Sequence, residues 1–372
     1  MLTEKFYELA LTSPGLFKRV VRPLIYRRCG GDPERVHEFA ITMLKQNEKV
    51  LEDVSSRFDF PDLILPVAGS RRMPFGTAAG FDKDGEVLYP LSLIFGFEEP
   101  GTIVLHRREG NPRPRIAVDA EKMELYNAQG FPSQGAEHFI ANAKRYRERG
   151  GKAPLLASIC GIPPSPDKME VAYAEMESII DLVGPYVDGF VWNPFSPNTA
   201  ALGLLRTPDC FHQTAELLRK MAGQKLNLAK MGPFDDTEEK RSDWATLLRS
   251  WMEGGGDGLV ATNAYMVPRS QVPSSRWGYD WAGRSGRFLH EYRDRAVREA
   301  RKEFPSAVII ATGGIDSGEE AWRAFEAGAD LLEGYTPYTF ESFGLLIRIS
   351  KELGALLKSK GYSSLEEFVK RR

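Results

Sequence analysis

A chain of 372 residues, 42% hydrophobic and 27% charged, is long enough for one large domain plus an appendage and can bury a full core. Its 49 basic and 51 acidic residues leave a formal net charge of -2, so no overall field draws it to nucleic acid and a nucleic-acid enzyme is disfavoured. The 3 cysteines show no CxxC pairing and the 5 histidines no HxxxH or HExxH spacing, which suits a reducing compartment without structural zinc. No stretch has the run of ~20 apolar residues that a membrane span needs, nor the apolar run of a signal peptide.

Residues 1–55 read differently from the rest. In "EKFYELALTSPGLFKRVVRPLIYRR", Phe6, Leu9, Leu11, Leu16, Phe17, Val20, Val21, Leu24 and Ile25 mix with Lys18, Arg19, Arg22, Arg27 and Arg28. The segment is basic and amphipathic. A second helix is predicted from Asp32 as N-cap and Pro33 at the first helical position, with Val36, Phe39, Ala40, Met43, Leu44, Val50 and Leu51 on one face. Two readings follow: a helical hairpin docked on the main domain, or a peripheral membrane contact with the apolar face in the lipid boundary and the arginines at head groups.

Residues 56–372 change rhythm. Short apolar stretches predict strands near residues 75–80, 100–104, 155–161, 188–196, 226–232, 257–263, 306–314 and 330–336. Helical patterns lie between them, among them "AYAEMESIIDLV", "CFHQTAELLRKMA", "RSDWATLLRSWMEG", "EEAWRAFEAG" and "LLIRISKELGALLKSK". Strand and helix alternate, so the sheet is expected to be parallel and the fold class α/β, a (β/α)8 TIM barrel with an N-terminal helical extension. A doubly wound open sheet is the alternative, but no GxGxxG follows the first strand.

In a TIM barrel the strand C-termini converge on the face that carries the active site. The residues at those ends are Lys83, Thr102, Asn127, Asn193, Ser196, Asn198, Thr199, Lys230, Thr262, Asn263, Gly313, Gly314, Tyr335 and Thr336. Amides and hydroxyls dominate, which disfavours metal hydrolysis and a two-carboxylate glycosidase. They match the alternating donors and acceptors of a planar heterocycle. Gly313 and Gly314 after the seventh strand, Tyr335 and Thr336 after the eighth, and "GRSGR" with Ser285 and Gly286 stand where this fold binds phosphate. A phosphate-bearing cofactor with a flat ring, such as FMN, fits both halves.

The motifs "AAGFDKDGE", "EGNPRPR", "FSPNTAAL", "ATGGIDSGEEA" and "AGADLLEGYT" resemble the flavin-dependent dihydroorotate dehydrogenases, in particular their quinone-linked, membrane-associated class 2. The resemblance runs over nearly the whole chain, helical pair included. It implies FMN as cofactor, dihydroorotate oxidised to orotate in pyrimidine (UMP) biosynthesis, quinone as acceptor, and a location on the cytoplasmic side of the inner membrane in a bacterium or on the mitochondrial inner membrane otherwise. It also implies Ser196 as the base that takes a C5 proton, relayed by a hydroxyl such as Thr199 or by water, while hydride passes from C6 to flavin N5. Lys83, Asn127, Asn193, Asn198 and Asn263 match substrate-holding positions, the lysine facing the orotate carboxylate. Ala79, Gly80, Thr102, Asn127, Asn193, Lys230, Thr262, Ser285, Gly286, Gly313, Gly314, Tyr335 and Thr336 match cofactor positions. Lys230 would stabilise the reduced ring, with a barrel-rim ion pair as its alternative role.

The chain also departs from the family pattern. Ala264 stands where a second threonine is usual, Pro132 where an asparagine is usual, and Ala128 where arginine is typical. Ile159 replaces an expected flavin-facing asparagine unless Ser158 takes that place, and Val118 replaces an arginine of the quinone tunnel, whereas His37 matches a tunnel-side histidine. Beside the dihydroorotate dehydrogenase reading stand two others: a flavin oxidoreductase of the same fold acting on another dihydropyrimidine-like ring or using another acceptor, and an inactive FMN-binding scaffold.

Overall fold

The computed structural model describes residues 2–234 and 238–372. Alternation along short parallel strands decides what fills its centre. The strands are β1 (Phe75–Thr77), β2 (Phe97–Glu98), β3 (Leu156–Ile159), β4 (Gly189–Trp192), β5 (Leu226–Lys230), β6 (Gly258–Ala261), β7 (Val308–Thr312) and β8 (Leu331–Gly334). They form one 8-stranded sheet in the spatial order β2-β1-β8-β7-β6-β5-β4-β3. A parallel bridge from Glu98 to Leu155 brings its two ends together, so the sheet is a nearly closed barrel.

Residues two apart on a strand share a face. Phe97, Leu156, Val191, Leu228, Val260, Ile310 and Leu331 meet inside the barrel as one fully buried apolar layer. Two positions further along come Glu99, Ser158, Asn193, Lys230, Thr262, Thr312 and Glu333, so the interior turns polar toward the strand C-termini. The residues between them, such as Ala157, Ile159, Ala229, Leu259, Ile309 and Leu332, face outward into the core under the helices. An antiparallel hairpin, Leu65–Val67 with Ser70–Arg72, closes the floor, and its Val67 joins the inner apolar layer.

The helices carry local start signals. Asp32 caps Pro33–Gln46 by accepting from the N–H groups of Glu34 (2.9 Å) and Arg35 (3.4 Å). Thr207 caps Pro208–Ala222, and Ser317 caps Gly318–Ala327, in the same way. The N-terminal part consists of Leu2–Thr12, Pro14–Leu16, a π segment Phe17–Val21, Arg22–Arg28, Pro33–Gln46 and Glu48–Val54. Leu11, Ile41, Leu44, Leu51 and Val54 from these helices lie in the same core as the outer face of the barrel. A buried ion pair, Arg115 to Glu34 at 2.8 Å, ties the same helices to a barrel loop. Phe6, Leu9, Val20 and Leu24 remain exposed. No helix among the described residues is long and apolar enough to cross a membrane.

One expectation needs correction in part. The second barrel strand begins earlier than residues 100–104: Gly76 and Thr77 pair with Phe97 and Glu98, and the chain then leaves β1 at Pro100 and Gly101 but keeps contact with β3 through the Ile103–Ile159 bridge. An antiparallel 4-stranded sheet also sits over the barrel mouth, in the order Tyr265–Pro268, Trp281–Gly286, Glu124–Asn127, Ile116–Asp119. One of its faces packs Ala117, Tyr126, Ala128, Val267 and Ala282 together. The other presents Leu125, Asn127 and Ser285 to the space below.

Candidate active site

Between the strand C-termini and this roof lies a cavity of about 970 Å³, its open mouth included. Its wall contains Ser196, the proposed substrate-facing Lys83, Asn127, Asn193, Asn198 and Asn263, and the proposed cofactor-facing Ala79, Gly80, Thr102, Lys230, Thr262, Ser285, Gly286, Gly313, Gly314, Tyr335 and Thr336. These residues come from every quarter of the barrel. Asn193, Lys230 and Thr262 point inward because each follows an inner-layer apolar residue by two positions, while the loops and the roof sheet bring in the rest.

The amides are wired to one another. Asn263 donates Nδ2–H to Asn193 Oδ1 at 2.9 Å, Asn193 donates Nδ2–H to Thr102 Oγ1 at 2.9 Å, and Thr102 and Ser158 share a hydroxyl contact at 3.1 Å. Ser158 is therefore the inward residue of β3, and Ile159 lies in the core under the helices. On the roof side Asn198 donates to Asn127 Oδ1, while Asn127 donates to Gly283 O at 3.2 Å. Such a network fixes amide orientation before any ligand arrives.

Ser196 sits in the loop "WNPFSPNT" after β4, where Pro194 and Pro197 offer no backbone donor. Its Oγ accepts the Asn198 N–H at 3.4 Å. Arg206 holds the loop from outside, donating Nε–H to Pro194 O at 3.0 Å and an η N–H to Ser196 O at 3.4 Å, with its guanidinium 4.9 Å from the Phe195 ring centroid. Thr199 Oγ1, Asn198 Oδ1 and Gln129 Oε1 are buried without a hydrogen-bond partner among the described residues. Lys83 makes no ion pair among the described residues, and burial lowers its pKa against the pull of Glu34 and Asp84. An anionic ligand group would satisfy it.

The glycine loop after β7 is set by its carbonyls. Arg293, fully buried, donates to Gly313 O at 2.8 Å, and His290 Nε2 lies 2.6 Å from Gly314 O. In a trans peptide the N–H points opposite to the carbonyl, so the Gly314 N–H is turned toward the cavity that Gly314 lines. A Cβ on Gly314 would lie 2.5 Å from His290 Cδ2 and 2.6 Å from Gly286 O, at a φ of +70°. Ser285 and Thr336 hydroxyls, 3.0 Å apart, stand beside this loop. Turned-in amides and hydroxyls suit a phosphate, and the amide network suits a flat ring: the donor set fits a phosphate-bearing planar cofactor.

Lys230 departs from a free cation. Its Nζ lies 2.6 Å from Glu99 Oε2 and 3.0 Å from Glu333 Oε1, and both carboxylates are fully buried. Burial opposes its charge, but Glu333 and Glu99 outweigh burial and raise its pKa. The ammonium is thus ion-paired inside the barrel, as its alternative role anticipated, and it also lines the cavity. The Ala79 N–H is likewise engaged, by Glu99 Oε2 at 3.2 Å.

Of the departures, Ala264 and Pro132 line the cavity, whereas Ala128 is packed on the far side of the roof. Val118 and His37 lie in the wall of a second, apolar cavity of about 1390 Å³, mouth included, between the N-terminal helices and the barrel. Phe6, Ile25, Phe39, Met43, Phe81 and Phe343 supply much of that wall. Leu125 and Tyr335 belong to both cavities. Burial, then the charge of Lys83, holds the His37 pKa well below the usual imidazole range, so its ring is neutral. Sequence reasoning missed Glu99, Glu333, Gln129, Arg206 and Arg293, whose roles depend on which face of an element they occupy.

Known proteins resemble this chain in sequence and fold. A family model described as dihydroorotate dehydrogenase matches residues 69–357. A protein of Rhodospirillum rubrum named dihydroorotate dehydrogenase (quinone) is 34% identical over 366 residues, covering 94% of this chain and 93% of that protein. The mitochondrial dihydroorotate dehydrogenase (quinone) of Mus musculus is 32% identical, covering 91% of this chain and 86% of its own. The crystal structure of DHODH from Eimeria tenella in complex with ferulenol superimposes with a TM-score of 0.76 at 26% identity, covering 89% of this chain and 93% of that one.

Proposed function

The chain belongs to the dihydroorotate dehydrogenase family, and we propose that it is an enzyme of pyrimidine biosynthesis that oxidises dihydroorotate to orotate with FMN as cofactor and quinone as acceptor. The observation that carries this reading is the junction of two cavities at Leu125 and Tyr335, one amide-lined and one apolar. Residues of the amide-lined cavity hold a polar ring substrate beside a phosphate-bearing cofactor. The apolar one admits a hydrophobic acceptor.

FMN, when bound, supplies the two-electron acceptor. Gly313, Gly314, Gly286, Ser285 and Thr336 would hold its phosphate, and Thr102, Asn193, Lys230 and Thr262 its ring. Asn127, Asn193, Asn198 and Asn263 would hold the dihydroorotate ring, and Lys83 its carboxylate. Ser196 Oγ removes the C5 proton. A serine hydroxyl is a weak base, so the proton must move on, and the unpartnered Thr199 hydroxyl is the nearest relay in the loop sequence.

The exposed Phe6, Leu9, Val20 and Leu24 stand among the exposed Lys5, Arg19, Arg27 and Arg28. This face would rest on an anionic membrane surface as a peripheral contact, letting a quinone enter the apolar cavity from the lipid. The proposal is tested by replacing Ser196 with Ala. The variant should keep its flavin yet reduce it with dihydroorotate about 100-fold or more slowly, within the range of a lost general base. An unaltered reduction rate removes Ser196 from the chemistry.

A further inference from the structure

Two carboxylates share one ammonium on the cavity wall. Glu99, from the loop after β2, and Glu333, from β8, both contact Lys230 Nζ, at 2.6 Å and 3.0 Å, and neither side chain is exposed. No other group among the described residues donates to Glu99 Oε1 or Glu333 Oε2, and the two carboxyl groups lie close enough to share a hydrogen bond. With both acids ionised the cluster would carry an uncompensated negative charge out of reach of water, which is costly. One retained proton makes the cluster neutral.

We infer that Glu333 is a positioning residue which carries that proton and so sets the charge that Lys230 presents to the cofactor edge. The inference rests on the FMN reading above. The charged groups facing Glu333 are Lys230 from β5 and Glu99 from the loop after β2, while the neighbouring strands β7 and β1 bring only Thr312 and Ala78 to this level. Glu99 makes the shorter contact to Lys230 and also accepts the Ala79 N–H at 3.2 Å, which favours its ionised form and leaves the proton on Glu333. Burial first, then the charge of Glu99 and a hydrogen bond with it, raise the Glu333 pKa well above the carboxylate range against the opposing effect of Lys230. An ammonium has three N–H donors, and two are spent on the carboxylates, so one remains for the cavity.

The consequence concerns reduction. A reduced flavin carries negative charge at its edge. While Glu333 is protonated, the cluster is neutral and Lys230 favours that charge. Once Glu333 loses its proton at alkaline pH, the cluster becomes anionic and opposes it. Glu333→Gln keeps the shape and the Lys230 contact but stays neutral at every pH.

The test is the reduction potential of the flavin-loaded protein, measured against reference dyes from about pH 6 to about pH 9.5 for the wild type and Glu333→Gln. The two curves should meet at the acid end. At the alkaline end the wild type should lie lower by about tenfold in the reduction equilibrium, about 30 mV for a two-electron couple. Parallel curves would overturn the inference and leave the proposed function standing. If neither protein binds flavin, the functional reading fails and the inference fails with it. Should Glu333→Gln not accumulate, the wild-type curve decides alone: a bend to a steeper slope supports the titrating cluster, and an unbroken line refutes it.

Discussion

Arg206→Met separates the positioning of the serine loop from its chemistry. Arg206 binds the loop from outside the cavity, through Pro194 O at 3.0 Å and Ser196 O at 3.4 Å. Methionine keeps an apolar stem over the Phe195 ring and deletes both bonds. A hydrogen bond from a charged donor contributes about 1.5–3 kcal/mol, and since the 3.4 Å contact is long, one full bond is the sensible count. If that free energy holds Ser196 in place, its loss slows proton removal by roughly 10- to 150-fold. The assay is anaerobic stopped-flow bleaching of the flavin at saturating dihydroorotate, with flavin content measured on the same samples. Flavin content should be that of the wild type, and the melting temperature should fall by no more than a few degrees. A bleaching rate within about twofold of the wild type would show that Pro194 and Pro197 already fix the loop, and would refute the assigned role of Arg206.

Other expectations follow from the same geometry. Gly314→Ala places a Cβ against His290 and Gly286 O at a positive φ, so crowding and backbone strain together should cost at least about 2 kcal/mol and weaken FMN binding about 30-fold, read as the flavin-to-protein ratio after gel filtration. Val36→Trp, in the apolar cavity, should slow quinone reduction about tenfold or more while flavin reduction by dihydroorotate stays within about twofold; equal loss in both half-reactions would separate the apolar cavity from the acceptor. A point substitution is preferable to truncation there, because Leu11, Leu44, Leu51 and Val54 share the barrel's core. Burial lifts the Asp82 carboxyl from 3.8 to about 6, despite the N–H groups of Val87 and Glu86 that it accepts. A raised folded-state pKa means that the folded protein holds the proton more tightly, so stability is greatest below the unfolded value and falls as pH rises through the folded one. Asp82→Asn lacks this loss and should gain on the wild type by about 3 kcal/mol between about pH 4 and about pH 7 in chemical denaturation; a constant difference would contradict the shift.

The barrel was legible because its strands are local apolar runs with polar ends, and that pattern survives without knowledge of any partner. The roof was not. Glu124–Asn127 and Ile116–Asp119 are four-residue strands, and Trp281–Gly286 pairs with Glu124–Asn127 across a long stretch of intervening chain. Nothing local in "GRSGR" announces a strand. The start of the second barrel strand is hidden because Ile103 and Val104 look more strand-like than Glu98: Ile103 does bridge to β3, but register with β1 selects Phe97 and Glu98. The residues read from polar strand ends and the loops after them line one cavity, since a βα unit places both on the same face of the barrel. Facing direction was the missing quantity. Sequence alone left Ser158 and Ile159 as alternatives, and only the alternation along β3 turns the serine inward. The same ambiguity hid the Lys230 cluster: of two adjacent glutamates, Glu99 faces the ammonium and Glu98 does not.

The central claim is that one cavity takes electrons from dihydroorotate and the adjoining apolar one passes them to quinone. Sequential mixing tests it directly: the flavin-loaded protein is bleached without oxygen by dihydroorotate, then met with a short-chain ubiquinone analogue. Full bleaching at the first step and return of the oxidised flavin spectrum at the second is the expected result. Flavin that stays oxidised with dihydroorotate, or stays reduced with the quinone, would contradict the claim at the substrate or the acceptor respectively.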